Sequence, residues 1–285
     1  MNTALPDRLF LGTGAMKAGT TWMYRVFRSH PEIYFPPEKE LHYLAHRYAE
    51  GPSPLGVGHR LSRAIAHTRI DPELAQLPGV RSRLLWTADY LSDPLDDAWY
   101  SRLFRSAGRR WSADFSDLTC QVSEAGWREI RARTSNLKVS FVMRETIDRL
   151  WSQMRFKHQL AGDGRAFEDL GPADAEAMLR PEGEWRHAEY GAIVRRMQAG
   201  LDPADLNLAF YEEMQAEPAA FLSGMEEFLG IAHHSYPANL VGQRVNETRA
   251  GKMPGWFVEM FVKDAERIDA ELIEAGLTLP KSWAR

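Results

Sequence analysis

The segment that most constrains the fold of this chain spans residues 10–24 and has the sequence FLGTGAMKAGTTWMY. A short apolar run leads into a loop that holds three glycines and one lysine, and a segment compatible with a helix follows. Glycine allows tight turns and brings backbone N–H groups close to an anion. A helix beginning near Thr20 would add unpaired N–H groups and the positive end of its dipole. The segment therefore predicts a phosphate-binding loop.

The match of this loop to the usual nucleotide-triphosphate motif is partial. Gly14 and Gly19 have the G-x-x-x-x-G spacing, and Thr21 occupies the Ser/Thr position. Thr20 stands where that motif has its lysine, and the loop's own cation is Lys17. Because glycine-rich turns before helices are common in α/β proteins, the loop alone leaves a purely structural turn open.

Strand and helix patterns alternate along the chain. Apolar runs predict strands at 8–13, 33–35, 138–143 and 206–210, and helical patterns occupy 20–29, 146–159, 185–199 and 218–229. The run at 138–143 is almost continuously apolar, which is typical of a strand buried on both faces. The alternation predicts an α/β fold with three layers, in which helices flank a central parallel β-sheet with a P-loop-like nucleotide-binding core.

Composition limits the class of protein. A chain of 285 residues, 44% of them apolar, predicts a single domain over 1–285, in which the Pro- and Gly-rich start of 51–110 indicates a variable lid or acceptor-binding insertion. The net charge of -4 argues against nucleic-acid binding. One cysteine excludes an internal disulfide. Neither a leader nor a long apolar run is evident, so we expect a cytoplasmic protein without stable membrane insertion.

Three segments together resemble the sulfotransferases that use 3′-phosphoadenosine 5′-phosphosulfate (PAPS). Residues 17–22, KAGTTW, are similar to the family's first cofactor loop. Residues 141–153, FVMRETIDRLWSQ, are similar to its second cofactor element, in which Ser152 follows the strand-ending Arg144 by eight residues. Residues 39–44, KELHYL, resemble the K-E-x-H-F-F segment of the branch related to carbohydrate and heparan sulfotransferases. The resemblance therefore implies a PAPS-dependent sulfotransferase nearest that branch.

The resemblance also implies roles for individual residues in binding PAPS and its product PAP. Lys17 would stabilise the bridging oxygen of the leaving group, Thr20 and Thr21 would hold the 5′-phosphate, and Arg144 and Ser152 would bind the 3′-phosphate. A late basic loop stands where the family closes over the 3′-phosphate. The implied cofactor-binding residues are Lys17, Ala18, Gly19, Thr20, Thr21, Trp22, Arg144, Ser152, Arg249, Gly251 and Lys252.

The implied catalytic residues are Lys17, Glu40 and His42. Glu40 aligns with the glutamate that deprotonates the acceptor in the carbohydrate-related branch, whereas His42 has the more suitable ordinary pKa of about 6.5. We expect Glu40 to be the base and His42 to orient or bind the acceptor, and the choice between them stays open. The candidate acceptor-binding residues are Tyr43, Asp114 and Ser116. We expect no metal requirement. We expect the acceptor to be a hydroxyl or amine of a small molecule or a glycan.

Two other functional classes remain open. A nucleotide kinase or nucleoside triphosphatase would need a lysine at position 20 and a magnesium-binding acid after an apolar strand. A non-catalytic nucleotide-binding module could use the same fold. The joint presence of Lys17, Glu40 and His42 argues against such a module, because binding alone requires no base.

Overall fold

The computed structural model describes residues 5–70, 76–162, 164–242 and 252–284. Its strands are β1 Arg8–Gly12, β2 Ile33–Tyr34, β3 Trp111–Phe115, β4 Asn136–Met143 and β5 Leu206–Phe210. They form one sheet in the order β2-β3-β1-β4-β5, and every pairing between neighbours is parallel. The predicted parallel α/β fold is confirmed.

Helices connect these strands and flank the sheet, as parallel pairing requires a crossover between neighbours. The α-helices of the described ranges are α1 Thr20–Phe27, α2 Tyr43–Tyr48, α3 Val57–Thr68, α4 Leu77–Tyr90, α5 Asp97–Arg102, α6 Glu124–Ala132, α7 Thr146–Ala161, α8 Pro172–Leu179, α9 Glu182–Trp185, α10 Tyr190–Gly200, α11 Tyr211–Ala216, α12 Pro218–Leu229, α13 Ala238–Val241 and α14 Gly255–Glu274. The predicted helix at 185–199 corresponds to α10, which begins only at Tyr190; Trp185 is the last residue of α9.

Aromatic packing fixes the centre of the sheet. The ring of Phe10 on β1 meets Phe27 and Phe115 edge-on, at centroid distances of 6.1 and 5.3 Å. Gly12 lies so close to this cluster that an added Cβ would sit 2.6 Å from the ring of Phe115. Glycine is required here because the two strands approach closely beneath an aromatic ring.

The sheet order brings three loops to one edge. β1 lies between β3 and β4, and all three strands run in the same direction, so the loops that follow them meet at the carboxyl edge. The loop after β1 also stays attached to β4. The N–H of Thr13 donates to the carbonyl of Ser140 at 2.9 Å, and the N–H of Ala15 donates to that of Val142 at 2.6 Å. These bonds extend the pairing past the end of β1.

The segment 51–110, predicted as an insertion, has two different parts. Helices α3 and α4 pack on one another and expose apolar side chains, including Leu61, Ile65 and Leu85. Helix α5, by contrast, buries Trp99 and Tyr100 completely in the core. The α3–α4 hairpin therefore exposes apolar surface, whereas α5 belongs to the core.

A buried carboxylate fastens this hairpin to the segment that precedes Glu40. Glu38 is 1% exposed, and its side chain accepts hydrogen bonds from Arg63 Nε at 2.8 Å and His67 Nε2 at 2.8 Å, both on α3. Burial alone would raise the pKa of Glu38, but the hydrogen bonds from His67 and Arg63 outweigh it and lower the pKa to about 2. The charged form of Glu38 is therefore the one that holds α3 in place.

Replacing Glu38 should weaken this attachment. We expect Glu38→Gln to lower the free energy of unfolding by about 1–3 kcal/mol at pH 7, because a buried charged hydrogen-bond acceptor is lost. Urea unfolding measures the change, and Glu227→Gln, on the exposed face of α12, is the matched control. Because folding lowers the pKa of Glu38 from its ordinary 4.5 to about 2, the difference between wild type and variant should shrink as pH falls through that window. A difference that stays constant with pH would contradict the assignment.

Candidate active site

The loop between β1 and α1 adopts a conformation that depends on its glycines. Gly14 has a φ of 126°, Gly19 a φ of 85° and Lys17 a φ of 70°. At Gly19 a Cβ would lie 2.4 Å from the terminal methyl group of Met214 and 3.0 Å from the ring of Tyr211. A lysine held in the left-handed region is uncommon, and such conformations concentrate at functional sites.

This conformation leaves a set of N–H donors at the carboxyl edge of the sheet. Helix α1 begins at Thr20 without a side-chain cap, since its N-cap residue is Gly19. Within the described ranges no acceptor faces the N–H groups of Lys17, Gly19, Thr20 and Thr21. Unpaired donors at a helix start form an anion-binding site. The loop therefore has the donor arrangement that its sequence predicts.

Cations surround these donors. Lys17 Nζ lies 4.2 Å from the centre of the Phe156 ring on α7, and the Arg144 guanidinium donates to the Lys17 carbonyl at 3.4 Å. Burial lowers the pKa of Lys17, the positive charges of Arg144 and Arg155 lower it further, and Asp117 acts in the opposite direction. Three cations held this close favour an anion between them.

The backbone at Arg144 is held from two sides. The Tyr190 hydroxyl donates to the Arg144 carbonyl at 3.2 Å, and the N–H of Glu145 donates to Glu212 Oε1 at 3.0 Å. The Glu145 side chain caps α7 by accepting the N–H of Asp148 at 2.7 Å. Arg144 is thereby fixed at the end of β4. Ser152 follows two turns into α7 and is 9% exposed.

Facing the loop is a cluster of two carboxylates and an imidazole. Glu40, His42 and Asp117 each offer one atom, and these atoms lie within 4.8 Å of one another. Glu40 Oε2 accepts the N–H of Asp117 at 3.0 Å, and Glu40 Oε1 accepts from Lys39. Burial raises the pKa of Asp117 to about 7, and the charge of Glu40 acts in the same direction. The cluster contains the groups needed to take up a proton near neutral pH.

Asp117 was missed by the sequence analysis, which stopped at Asp114 and Ser116. The available signal was its place, two residues after the end of β3, where the carboxyl edge begins. Carboxylate and imidazole groups at this spacing could also coordinate a divalent cation. From the sequence we expect no metal requirement.

Asp114 and Ser116 position His42. His42 has a φ of 55°, and its N–H donates to Ser116 Oγ at 3.1 Å. Ser116 in turn donates to Asp114 Oδ1 at 2.6 Å, and Tyr100 donates to Asp114 Oδ2 at 2.8 Å. Burial raises the pKa of Asp114 to about 7. Burial lowers the pKa of His42, although the charge of Glu40 opposes this change.

The candidate acceptor-binding residues lie in the interior of the protein and not at the surface that a bound acceptor would contact. Tyr43 is 0%, Ser116 is 0% and Asp114 is 2% exposed. The Tyr43 hydroxyl donates to Asp97 Oδ1 at 2.7 Å, and its ring stacks on Tyr100. In this structure all three side chains are occupied within the protein and present no surface to an acceptor.

The remaining predicted cofactor residues divide into three groups. Ala18 and Trp22 are buried, and Trp22 Nε1 donates to the carbonyl of Val241 at 3.1 Å. Lys252 is exposed just before α14. Arg249 and Gly251 lie outside the described residues.

A loop suited to anion binding, with its own lysine, lies at the carboxyl edge of the parallel sheet. This places the chain among the α/β proteins that bind a ligand at that edge. A family model described as the sulfotransferase family matches residues 10–235. The match includes the first loop, the 39–44 segment and the Arg144 element. The protein belongs to the sulfotransferase family. The match supports this family as a whole and not the carbohydrate-related branch that residues 39–44 resemble.

Solved structures share the fold at low sequence identity. The sulfotransferase from Alicyclobacillus acidocaldarius is 22% identical with a TM-score of 0.66, and the match covers 99% of this chain and 100% of that one. The sulfotransferase domain of the curacin biosynthetic pathway is 18% identical with a TM-score of 0.56, over 97% of this chain and 100% of the other. That of the Synechococcus PCC 7002 olefin synthase is 17% identical with a TM-score of 0.55, over 97% and 96%.

No curated protein matches the chain. Among the described residues, none of the helices combines the length and the apolar character that crossing a membrane requires.

The glycine at position 19 provides a direct test of the loop geometry. We expect Gly19→Ala to lower the free energy of unfolding by about 1–3 kcal/mol, because a left-handed φ becomes strained and the new methyl group meets Met214. Gly224→Ala is the matched control, since a Cβ there meets nothing within 4 Å. That control lies inside α12 and should gain about 0.4–1 kcal/mol. Equal effects of the two substitutions in urea unfolding would show that the loop tolerates a side chain.

Proposed function

We propose that the protein transfers the sulfuryl group of PAPS to a hydroxyl or amine of a small-molecule or glycan acceptor. The observation that carries this proposal is that two halves of a reaction site share one edge of the sheet. Lys17 and its unpaired N–H neighbours form one half, and Glu40, His42 and Asp117 form the other. Asp117 links them, because its charge acts on Lys17.

The donor set fits PAPS, which carries negative charge at two separate places. The N–H groups at Lys17, Gly19, Thr20 and Thr21 suit the 5′-phosphosulfate. Arg144, fixed at the end of β4, and Ser152 on α7 suit the 3′-phosphate. We propose that Arg249, Gly251 and Lys252 complete this second site. When bound, PAPS supplies the sulfuryl group and leaves as PAP.

Lys17 has the role of stabilising the charge that develops on the leaving oxygen. Its side chain is half-buried and lies among other cations, which strengthens its attraction for a developing negative charge. Lys17 lies in a tight turn, and its left-handed backbone conformation sets the orientation of its N–H group and its side chain. Preorganisation of this kind avoids rearrangement during the reaction.

His42 is supported as the group that takes the acceptor's proton. Its Nδ1 is buried and has no partner among the described residues, and its lowered pKa keeps the ring neutral at pH 7. Both oxygens of Glu40 already accept hydrogen bonds, from Lys39 and from the N–H of Asp117. We propose that Glu40 stabilises the protonated His42, because its charge raises the pKa of that ring.

Replacing Lys17 separates binding from chemistry. We expect Lys17→Ala to reduce turnover with PAPS about 10²–10³-fold, as for loss of one transition-state donor, while PAP binding weakens far less. Isothermal titration with PAP and a sulfuryl-transfer assay give the two values. Lys263→Ala, an exposed lysine on α14, is the matched control.

The same titration tests the cofactor. Wild type should bind PAP and lose affinity when the 3′-phosphate is absent, as in adenosine 5′-phosphate. Tighter binding of magnesium-ATP than of PAP would instead support a nucleotide kinase and overturn the proposal.

The pH dependence of kcat/KM distinguishes the two candidate bases. With His42 as the base, the rate of wild type should fall on the acid side with a midpoint below 6.5, the ordinary value. His42→Gln should lose that limb and about 10²–10⁴ in rate. Glu40→Gln should keep the limb and move it to lower pH, because a charge that raises the pKa of His42 is gone. Loss of the limb in Glu40→Gln alone would make Glu40 the base.

A further inference from the structure

Helix α3 is attached to the rest of the protein by its charged side. Only Arg60 and Ala64 of this helix are buried. The Arg60 guanidinium donates to the carbonyl of Ser92 at 3.2 Å and to Asp93 Oδ1 at 3.0 Å. Further along, α3 also holds the buried Glu38. Charged side chains thus occupy the side of α3 that faces the protein.

The aliphatic side of α3 faces outward. Val57, Leu61 and Ile65 recur at intervals of four residues and therefore share one face of the helix. These residues are between 48% and 65% exposed. A surface helix ordinarily turns its apolar face to the core and its charged face to water. The reversed placement in α3 indicates a partner for the apolar face that the described residues do not supply.

Helix α4 and the residue after it extend the exposed apolar surface. Leu77, Leu84 and Leu91 are spaced by about two helical turns, and Leu77 is 81% exposed. Within the described ranges, twelve large apolar side chains are exposed, and eight of them belong to residues 57–91. Single exposed leucines are normal, but a concentration of this kind marks an interaction surface.

The exposed side chains suit a fluid layer better than a rigid protein partner. All eight are leucine, isoleucine or valine, whereas the strongest contacts between proteins are enriched in tryptophan, tyrosine and arginine. Leu84 and Leu85 are consecutive on α4, so their side chains point about 100° apart. A rigid surface would cover one of these directions, but lipid chains surround a helix from several. The hydrocarbon of a lipid layer therefore fits the hairpin.

Cations accompany the exposed leucines. A cavity of about 560 Å³ lies beside α4, and the residues that line it include Leu77, Leu85, Arg81 and Arg105. Arg105 is paired with Asp89 at 2.8 Å, and Arg81 is exposed. Guanidinium groups bind phosphate through paired N–H donors. The cavity therefore combines an apolar wall with the donors that a phosphate head group requires.

The charge of this region differs from that of the whole chain. Residues 57–91 hold five arginines and three acidic residues, whereas the chain as a whole has a net charge of -4. A positively charged apolar surface attracts anionic lipids. It disfavours a second copy of the chain as the partner, because a symmetric interface would bring the same arginines together.

We propose that the α3–α4 hairpin docks on a membrane surface that contains anionic phospholipids. Its leucine and isoleucine side chains enter the outer part of the hydrocarbon layer, and Arg81 and Arg105 lie at the level of the phosphates. The contact is made with one face of the bilayer and requires no helix that crosses it. The hairpin takes no part in the proposed sulfuryl transfer, so this inference does not rest on the proposed function.

Vesicle binding tests the proposal. The full chain is mixed with vesicles of phosphatidylcholine alone or of equal parts phosphatidylcholine and phosphatidylglycerol, and the bound fraction is measured by co-sedimentation. Wild type should bind the mixed vesicles about tenfold or more tightly than the neutral ones. The double variant Leu77→Glu/Leu84→Glu should lose about tenfold or more of its affinity for the mixed vesicles, because carboxylates do not enter hydrocarbon.

Two further variants control for charge. Leu160→Glu/Ile273→Glu adds the same charge at exposed apolar residues of α7 and α14 and should bind like wild type. Arg81→Gln should weaken binding to the mixed vesicles and leave binding to the neutral ones unchanged.

A fluorescent label reports insertion itself. Cys120 is buried, so a cysteine introduced at the surface can be labelled selectively with a dye that responds to polarity. The emission of labelled Leu77→Cys should shift to shorter wavelength when mixed vesicles are added, whereas that of labelled Leu160→Cys should not.

Three results would overturn the proposal. The first is no binding of wild type to the mixed vesicles. The second is binding that Leu77→Glu/Leu84→Glu leaves unchanged, which would reduce the contact to non-specific attraction between charges. The third is a dimer in light scattering that the same variant converts to a monomer, which would make a second copy of the chain the partner of the hairpin.

Discussion

The position of β1 between β3 and β4 is the constraint on which the rest of this structure depends. Parallel pairing on both sides forces three loops to the same edge, and the bonds from Thr13 and Ala15 to β4 fix the first loop before it turns. The N–H groups that face outward from that loop are unpaired for this reason. Lys17, Asp117 and Arg144 are neighbours because the strands preceding them are neighbours.

Charge is distributed unevenly across this edge. The side formed by β1, β4 and α7 carries Lys17, Arg144 and Arg155, and the side formed by β3 and the 38–42 segment carries Glu40 and Asp117. Burial and the charges of the same side act together on Lys17, His42 and Asp117, and Asp117 also acts across the edge on Lys17. In the proposed reaction, this arrangement would place cations beside the leaving group and proton acceptors beside the nucleophile.

Local patterns were enough to predict the scaffold and the loop. Glycine spacing reports a local conformation, and the apolar run of β4 reports burial on both faces, so both could be found from sequence. Burial of Tyr43, Asp114 and Ser116 could not, since it depends on packing between distant segments. Arg149 on α7, which is fully buried, shows the same limit, because a charged residue in a helical pattern is expected on the solvated face. To recognise Asp117 as a site residue, one would have to know where β3 ends.

The attachment of α3 to Glu38 has a consequence for how this architecture can diversify. Glu40 follows Glu38 by two residues, whereas the loop between β1 and α1 is attached to a different strand. In the proposed reaction, changes in the α3–α4 hairpin would therefore reach the segment of Glu40 and His42 without passing through the loop that holds the phosphate. If the proposed function holds, remodelling of this one peripheral hairpin would change the acceptor side of the site and leave the donor side as it is.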